Sequence, residues 1–218
     1  TFTRLSCDGE EGYPGNLLVS VRYTFDDECR LGIHYQALCD QDTVINLTNH
    51  SYFNLDGEDS GSVEGQHLQI FADSFAENDA GCLPTGRIVS LDSEEGAPFD
   101  FKEPTEIGKR LHEENIHLKN GSGYDHNYLL KKQPDGLCAR AYSRSSGILL
   151  ECRTSEPGMQ LYTGNFLSTS NIVGKGGKSY ADRAGFCLET QHYPNAMEHP
   201  EFPSVVLPAG ELYDTTTE

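Results

Sequence analysis

Short segments in which apolar and polar residues alternate recur at 17–25, 30–37, 44–55, 67–71, 124–130, 139–142, 148–153 and 159–165. A period of two sends successive side chains to opposite faces, so each segment reads as a strand with one buried and one wetter face. The breaks at 56–65, 134–136, 143–147 and 171–177 are rich in Gly, Ser, Asp and Asn. Those residues supply the positive φ angles and local side-chain hydrogen bonds that turns require. The rhythm predicts an all-β chain, an antiparallel β-sandwich. One short peripheral helix is expected at 104–114, where Pro104 suits a first-turn position and Ile107 and Leu111 share a face. With 218 residues and no dividing linker, the chain has the length of one large all-β domain or two small ones.

Within this pattern the segment 45–55 stands apart. Ile45, Leu47, Phe53 and Leu55 fall on one side, and Asn46, Thr48, His50, Tyr52 and Asn54 on the other. A histidine on a face otherwise made of amides, a hydroxyl and a phenol looks built to bind something. A second segment, Gly185 to Pro194, sets Glu189 on the face opposite Phe186 and Leu188, beside Cys187 and Gln191. A histidine and a carboxylate are thus candidates for a proton-transferring pair, since the ordinary histidine pKa of about 6.5 lets the ring hold a proton near neutrality.

Charge narrows the partners. With 16 Lys and Arg against 34 Asp and Glu the formal net charge is −18, which repels phosphate backbones and anionic bilayers, so neither nucleic acid nor a membrane is expected as a partner. No apolar run approaches the ~18 residues of a membrane helix. Seven cysteines are an odd number, and they lack CxxC spacing, which disfavours a zinc site and a disulfide framework and fits free thiols in a reducing cytoplasm. The histidines form neither a His-x-His pair nor a His-Glu-x-x-His motif, so no ligand-like cluster and no metal are expected.

Four segments together carry a resemblance: Asn46 to Leu55, Tyr124-Asp125-His126-Asn127, Gln160 to Leu167, and Gly185 to Pro194. In order and spacing they resemble the aldose 1-epimerases, or galactose mutarotases, and the likeness runs from Asp8 to Asp214. It implies a β-sandwich of the galactose mutarotase type that interconverts the α and β anomers of free hexoses such as galactose and glucose without a cofactor. It implies that Glu189 is the general base at the anomeric hydroxyl and His50 the general acid at the ring oxygen. Asp125 would accept hydrogen bonds from sugar hydroxyls, and Gln160 would both donate and accept. Tyr52 and Tyr162 would wall the sugar's C–H faces. The family also uses an arginine and a second histidine in a portion preceding Thr1, and neither His34 nor Arg22 stands in for them. Residues 1–218 are therefore expected to be one mutarotase-like domain without the family's N-terminal portion and final strand, pairing noncovalently with a complementary N-terminal segment of the same protein.

Two other readings compete. A carbohydrate-binding module of the same fold would need no proton-transfer pair, and a glycoside hydrolase would use Asp125 and Glu189 as paired carboxylates. A sugar phosphate as ligand is disfavoured, because no Arg or Lys cluster accompanies the four segments.

Overall fold

The computed structural model describes residues 1–170 and 173–218, so the expected loop at 171–177 lies partly outside the described residues. The strands are β1 (Phe2–Ser6), β2 (Leu17–Phe25), β3 (Leu31–Cys39), β4 (Thr43–Val44), β5 (His67–Ile70), β6 (Ala72–Asn78), β7 (Pro84–Ser90) and β8 (Thr105–Glu106). They continue as β9 (Asp125–Leu130), β10 (Leu137–Tyr142), β11 (Leu149–Arg153), β12 (Gly158–Tyr162), β13 (Cys187–Gln191), β14 (Val206–Leu207) and β15 (Leu212–Thr217). Their sheet orders are β1-β2-β3-β15, β11-β10-β5-β8 and β13-β12-β9-β6-β7, with β14-β4 as a separate pair. Each of these pairings is antiparallel.

Two of the sheets enclose a common core, and the alternation shows why. Leu68 and Ile70 of β5 and Ala139 and Ala141 of β10 turn inward to meet Phe75 of β6, Tyr128 of β9, Met159 and Leu161 of β12 and Leu188 of β13. Phe75 stacks on Phe99 with ring centroids 4.3 Å apart. The Tyr128 hydroxyl donates to the Phe99 carbonyl at 2.9 Å, so the buried phenol is satisfied and its ring area adds roughly 2–3 kcal/mol of burial.

Two expectations are corrected. Residues 104–114 do not form a helix: Thr105–Glu106 pair with β5, and Ile107–Lys109 make a single 3-10 turn. Ladder hydrogen bonds to the β5 edge outweigh the weak helical spacing. Gly108 also lets Glu64 pack close, since a Cβ there would lie 2.7 Å from Glu64 Cβ. The α-helix is α1 (Ile116–Gly121), and the Asn115 side chain caps it by accepting from the His117 and Leu118 amides.

Residues 44–55 are likewise not one strand, because the chain leaves β4 after Val44 and regains a single bridge at Phe53 with Phe186. The segment is a strap laid antiparallel to β13. At one end Asn46 Nδ2 donates to the His192 carbonyl and the His192 amide returns to Asn46 Oδ1, both at 2.9 Å. At the other end Phe53 and Phe186 exchange backbone hydrogen bonds of 2.8 and 2.9 Å. The apolar side of the alternation survives: Ile45 and Leu47 pack with the β3 core, and Phe53 and Leu55 with the main core.

Candidate active site

Strand register assembles the site. β12 lies between β9 and β13, with Gln160 opposite Asn127 and Glu189, and Tyr162 opposite Asp125 and Cys187. Met159 and Leu161 are committed to the core, so Gln160 and Tyr162 must face the other way, and the same parity turns Asp125, Cys187 and Glu189 to that face. His126, the residue between Asp125 and Asn127, goes into the core instead. There it meets Phe75 and Phe99 edge-on, and burial drives its pKa down to about 3, so it is neutral and takes no part in the site.

The strap brings in the histidine. His50 Nε2 lies 3.3 Å from Glu189 Oε1, with the His50 side chain half exposed and Glu189 almost enclosed. The other ring nitrogen, Nδ1, lies 3.4 Å from Cys187 Sγ. Tyr52 and Tyr162 flank the imidazole with centroids at 5.0 and 5.7 Å. Gln160 Nε2 donates to Asp125 Oδ1 at 2.6 Å, fixing the amide so that its oxygen remains free to accept. All four candidates, His50, Glu189, Asp125 and Gln160, thus lie on one face, as do both tyrosines.

Electrostatics gives the carboxylates different roles. Burial, and then the charge of Asp125, raise the Glu189 pKa to about 7, the range in which a carboxylate both takes and returns a proton near neutrality. Asp125 is also raised by burial, but the Gln160 hydrogen bond and the nearby His50 pull it down. The Tyr52 phenol is pushed up to about 12, mainly by burial, and so stays protonated.

The approach to Asp125 is braced from behind. Asn165 Nδ2 donates to the carbonyls of Gly121 and Tyr124 at 2.7 and 3.1 Å, and Arg183 Nη2 donates to the Ser122 carbonyl at 2.6 Å. These side chains hold the turn that feeds β9. The sequence offered Asn165 only as part of the segment Gln160 to Leu167 and Arg183 not at all. The contact of Cys187 with His50 also escaped it. The expectation of no ligand-like cluster is corrected here, because one donor atom each from His50, Cys187 and Glu189 lie within 4.8 Å of one another. Chain separation hid them: 137 positions divide His50 from Cys187.

The structure is a sandwich of antiparallel sheets carrying a histidine–glutamate pair beside a carboxylate and an amide. Comparison with known proteins agrees. The aldose 1-epimerase family matches residues 1–218. The galactose mutarotase of Bos taurus is 46% identical over 217 residues, covering 99% of this chain and 60% of that protein. The aldose 1-epimerase of Escherichia coli K12 is 38% identical over 221 residues, 100% of this chain and 62% of the relative. Among solved structures, the GalM/aldose epimerase homologue from C. elegans superposes with a TM-score of 0.86 at 30% identity, over 99% of this chain and 63% of that one. The galactose 1-epimerase from Lactobacillus acidophilus gives a TM-score of 0.82 at 28% identity, over 99% and 60%. The chain belongs to the aldose 1-epimerase family, and it spans about 60% of the length of these curated relatives.

Proposed function

We propose that this protein is an aldose 1-epimerase acting on free aldohexoses, galactose and glucose among them. The observation that carries the reading is the 3.3 Å approach of His50 Nε2 to Glu189 Oε1, with Glu189 held near 7. In the forward step Glu189, as carboxylate, takes the proton of the anomeric hydroxyl while protonated His50 gives the Nε2 proton to the ring oxygen. The C1–O5 bond breaks, the aldehyde turns about C1–C2, and closure on the other face returns both protons to their donors. Asp125 accepts from sugar hydroxyls, and the Gln160 oxygen, left free by its amide's bond to Asp125, accepts from another. Tyr52 and Tyr162, with rings 6.2 Å apart, offer apolar faces to the C–H side of the ring.

A pure binding module has no use for a carboxyl poised near neutrality, which favours catalysis over that alternative. Cytoplasmic residence is part of the proposal, supported by free thiols exposed at Cys7, Cys29 and Cys82. Polarimetry of freshly dissolved α-galactose tests the function, with and without the portion of the cattle relative that this chain does not match added in trans. Acceleration that disappears in Glu189→Gln and His50→Gln supports it; a rate equal to buffer in every sample, with the variants folded, overturns it.

A further inference from the structure

Cys187 has no part in the proton transfers, yet its sulfur completes a set of three donors. It shares a face with Glu189 because the two are separated by one residue on β13, and the strap presses His50 against both. A tetrahedral zinc ion, bound to nitrogen and oxygen at about 2.0 Å and to sulfur at about 2.3 Å, sets its donors roughly 3.3–3.7 Å apart. His50 Nε2 and Glu189 Oε1, at 3.3 Å, already meet that spacing. Cys187 Sγ lies 3.4 Å from His50 Nδ1, and with all donors within 4.8 Å of one another, about 1 Å of closure completes the set. His50 is the most open of the three, with 51% of its side chain exposed, whereas Glu189 is almost enclosed.

Charge favours a cation here. The register of β9, β12 and β13 sets the carboxyls of Asp125 and Glu189 on one face. Tyr52, Tyr162 and Cys187, the other titratable groups around His50, bring no positive charge.

We propose that His50, Cys187 and Glu189 form a three-ligand site for a borderline-soft divalent cation such as Zn2+, with the fourth position open to water. The ion is no cofactor: occupying the site removes the acid and the base together and inhibits, a consequence that rests on the epimerase reading, whereas binding itself does not. On binding, the Cys187 S–H bond breaks, the S–metal bond forms and one proton leaves to buffer, with no change of oxidation state.

The test uses the chain with Cys7, Cys29 and Cys82 replaced by serine, since these exposed thiols would bind metal unspecifically. After removal of metal with EDTA it is titrated with Co2+, following thiolate-to-cobalt charge-transfer absorption, and with Zn2+ by calorimetry at two pH values. One saturable site is expected. Its charge-transfer band should vanish in Cys187→Ser, and Zn2+ should bind on the order of tenfold or more weakly in Cys187→Ser and His50→Gln; the latter replaces a half-exposed side chain and should leave the fold intact. Absence of the band in the parent, or its persistence in Cys187→Ser, overturns the site. In polarimetry Zn2+ should slow mutarotation and EDTA restore it, with Mg2+ inert; saturation with Zn2+ at an undiminished rate overturns the inhibition. A parent chain that stays inactive without metal, both alone and with the complementary portion added, refutes the epimerase reading, while the cobalt titration still decides the site.

Discussion

Glu189 is held where its charge is unwelcome, and that has a measurable cost in stability. Its pKa rises from 4.5 to about 7 on folding, chiefly through burial and secondarily through Asp125. Because the folded value is the higher, the neutral acid is the form the fold favours. The stabilisation is fully present below about pH 4.5, declines as the unfolded chain gives up this proton first, and is gone above about pH 7. At about 1.4 kcal/mol per unit the span corresponds to about 3 kcal/mol. Glutamine has the shape of the neutral acid, so Glu189→Gln should match the parent near pH 4.5 and exceed it by up to about 3 kcal/mol at pH 8. Urea unfolding of both proteins at half-unit intervals measures this, since titrating groups remote from Glu189 cancel in the difference. The variant should also have lost mutarotation, the stabler protein being the inactive one. Parallel stability curves for the two proteins would show that the carboxyl is not raised and would refute the reasoning.

Other perturbations act through neighbouring contacts. Asp125→Asn removes the like charge, so the pH at which kcat/KM rises through ionisation of Glu189 should move down. Loss of a charged acceptor should at the same time lower kcat/KM about 10–100-fold, mostly through KM, in a pH series of initial rates. Asn46→Ala deletes both hydrogen bonds that tie the strap to His192; unfolding should cost about 1–3 kcal/mol, and kcat should fall because His50 loses its register against Glu189. In Gly158→Ala the new Cβ would stand 2.7 Å from Asn127 Oδ1 and 2.9 Å from Tyr193 Cδ1. Denaturant melts should show a loss of about 1–3 kcal/mol from this overpacking beside β9.

What the sequence discloses and what it hides divide along the length scale of the interaction. Parity is local, so the alternation in β12 and β13 assigns Gln160, Tyr162, Cys187 and Glu189 to outward faces before any partner is known. β6 and β7 left no such trace. Phe75 is the only large apolar residue among Ala72–Asn78, and Pro84 and Gly86 interrupt the next strand; pairing with β9 and closure of the core over Phe75 make them strands. The spacing of Ile107 and Leu111 was a true helical signal that lost to the open edge of β5, a competitor that no window of sequence contains. His50 is the instructive case. The alternation around it was read as a strand, and the polar face it implied is real, but no ladder runs through residues 47–52; two reciprocal pairs of hydrogen bonds at Asn46 and Phe53 do the work of register instead. Without ladder hydrogen bonds between its two ends, the strap leaves that backbone less constrained than a laddered strand. In the proposed reaction, that freedom suits His50, which would give a proton to the ring oxygen and recover it after the sugar has turned over. It also follows that His50 is the member of the pair more exposed to capture by a competing ligand, whereas Glu189, fixed on β13 and almost enclosed, would be the reference point for the proposed sugar.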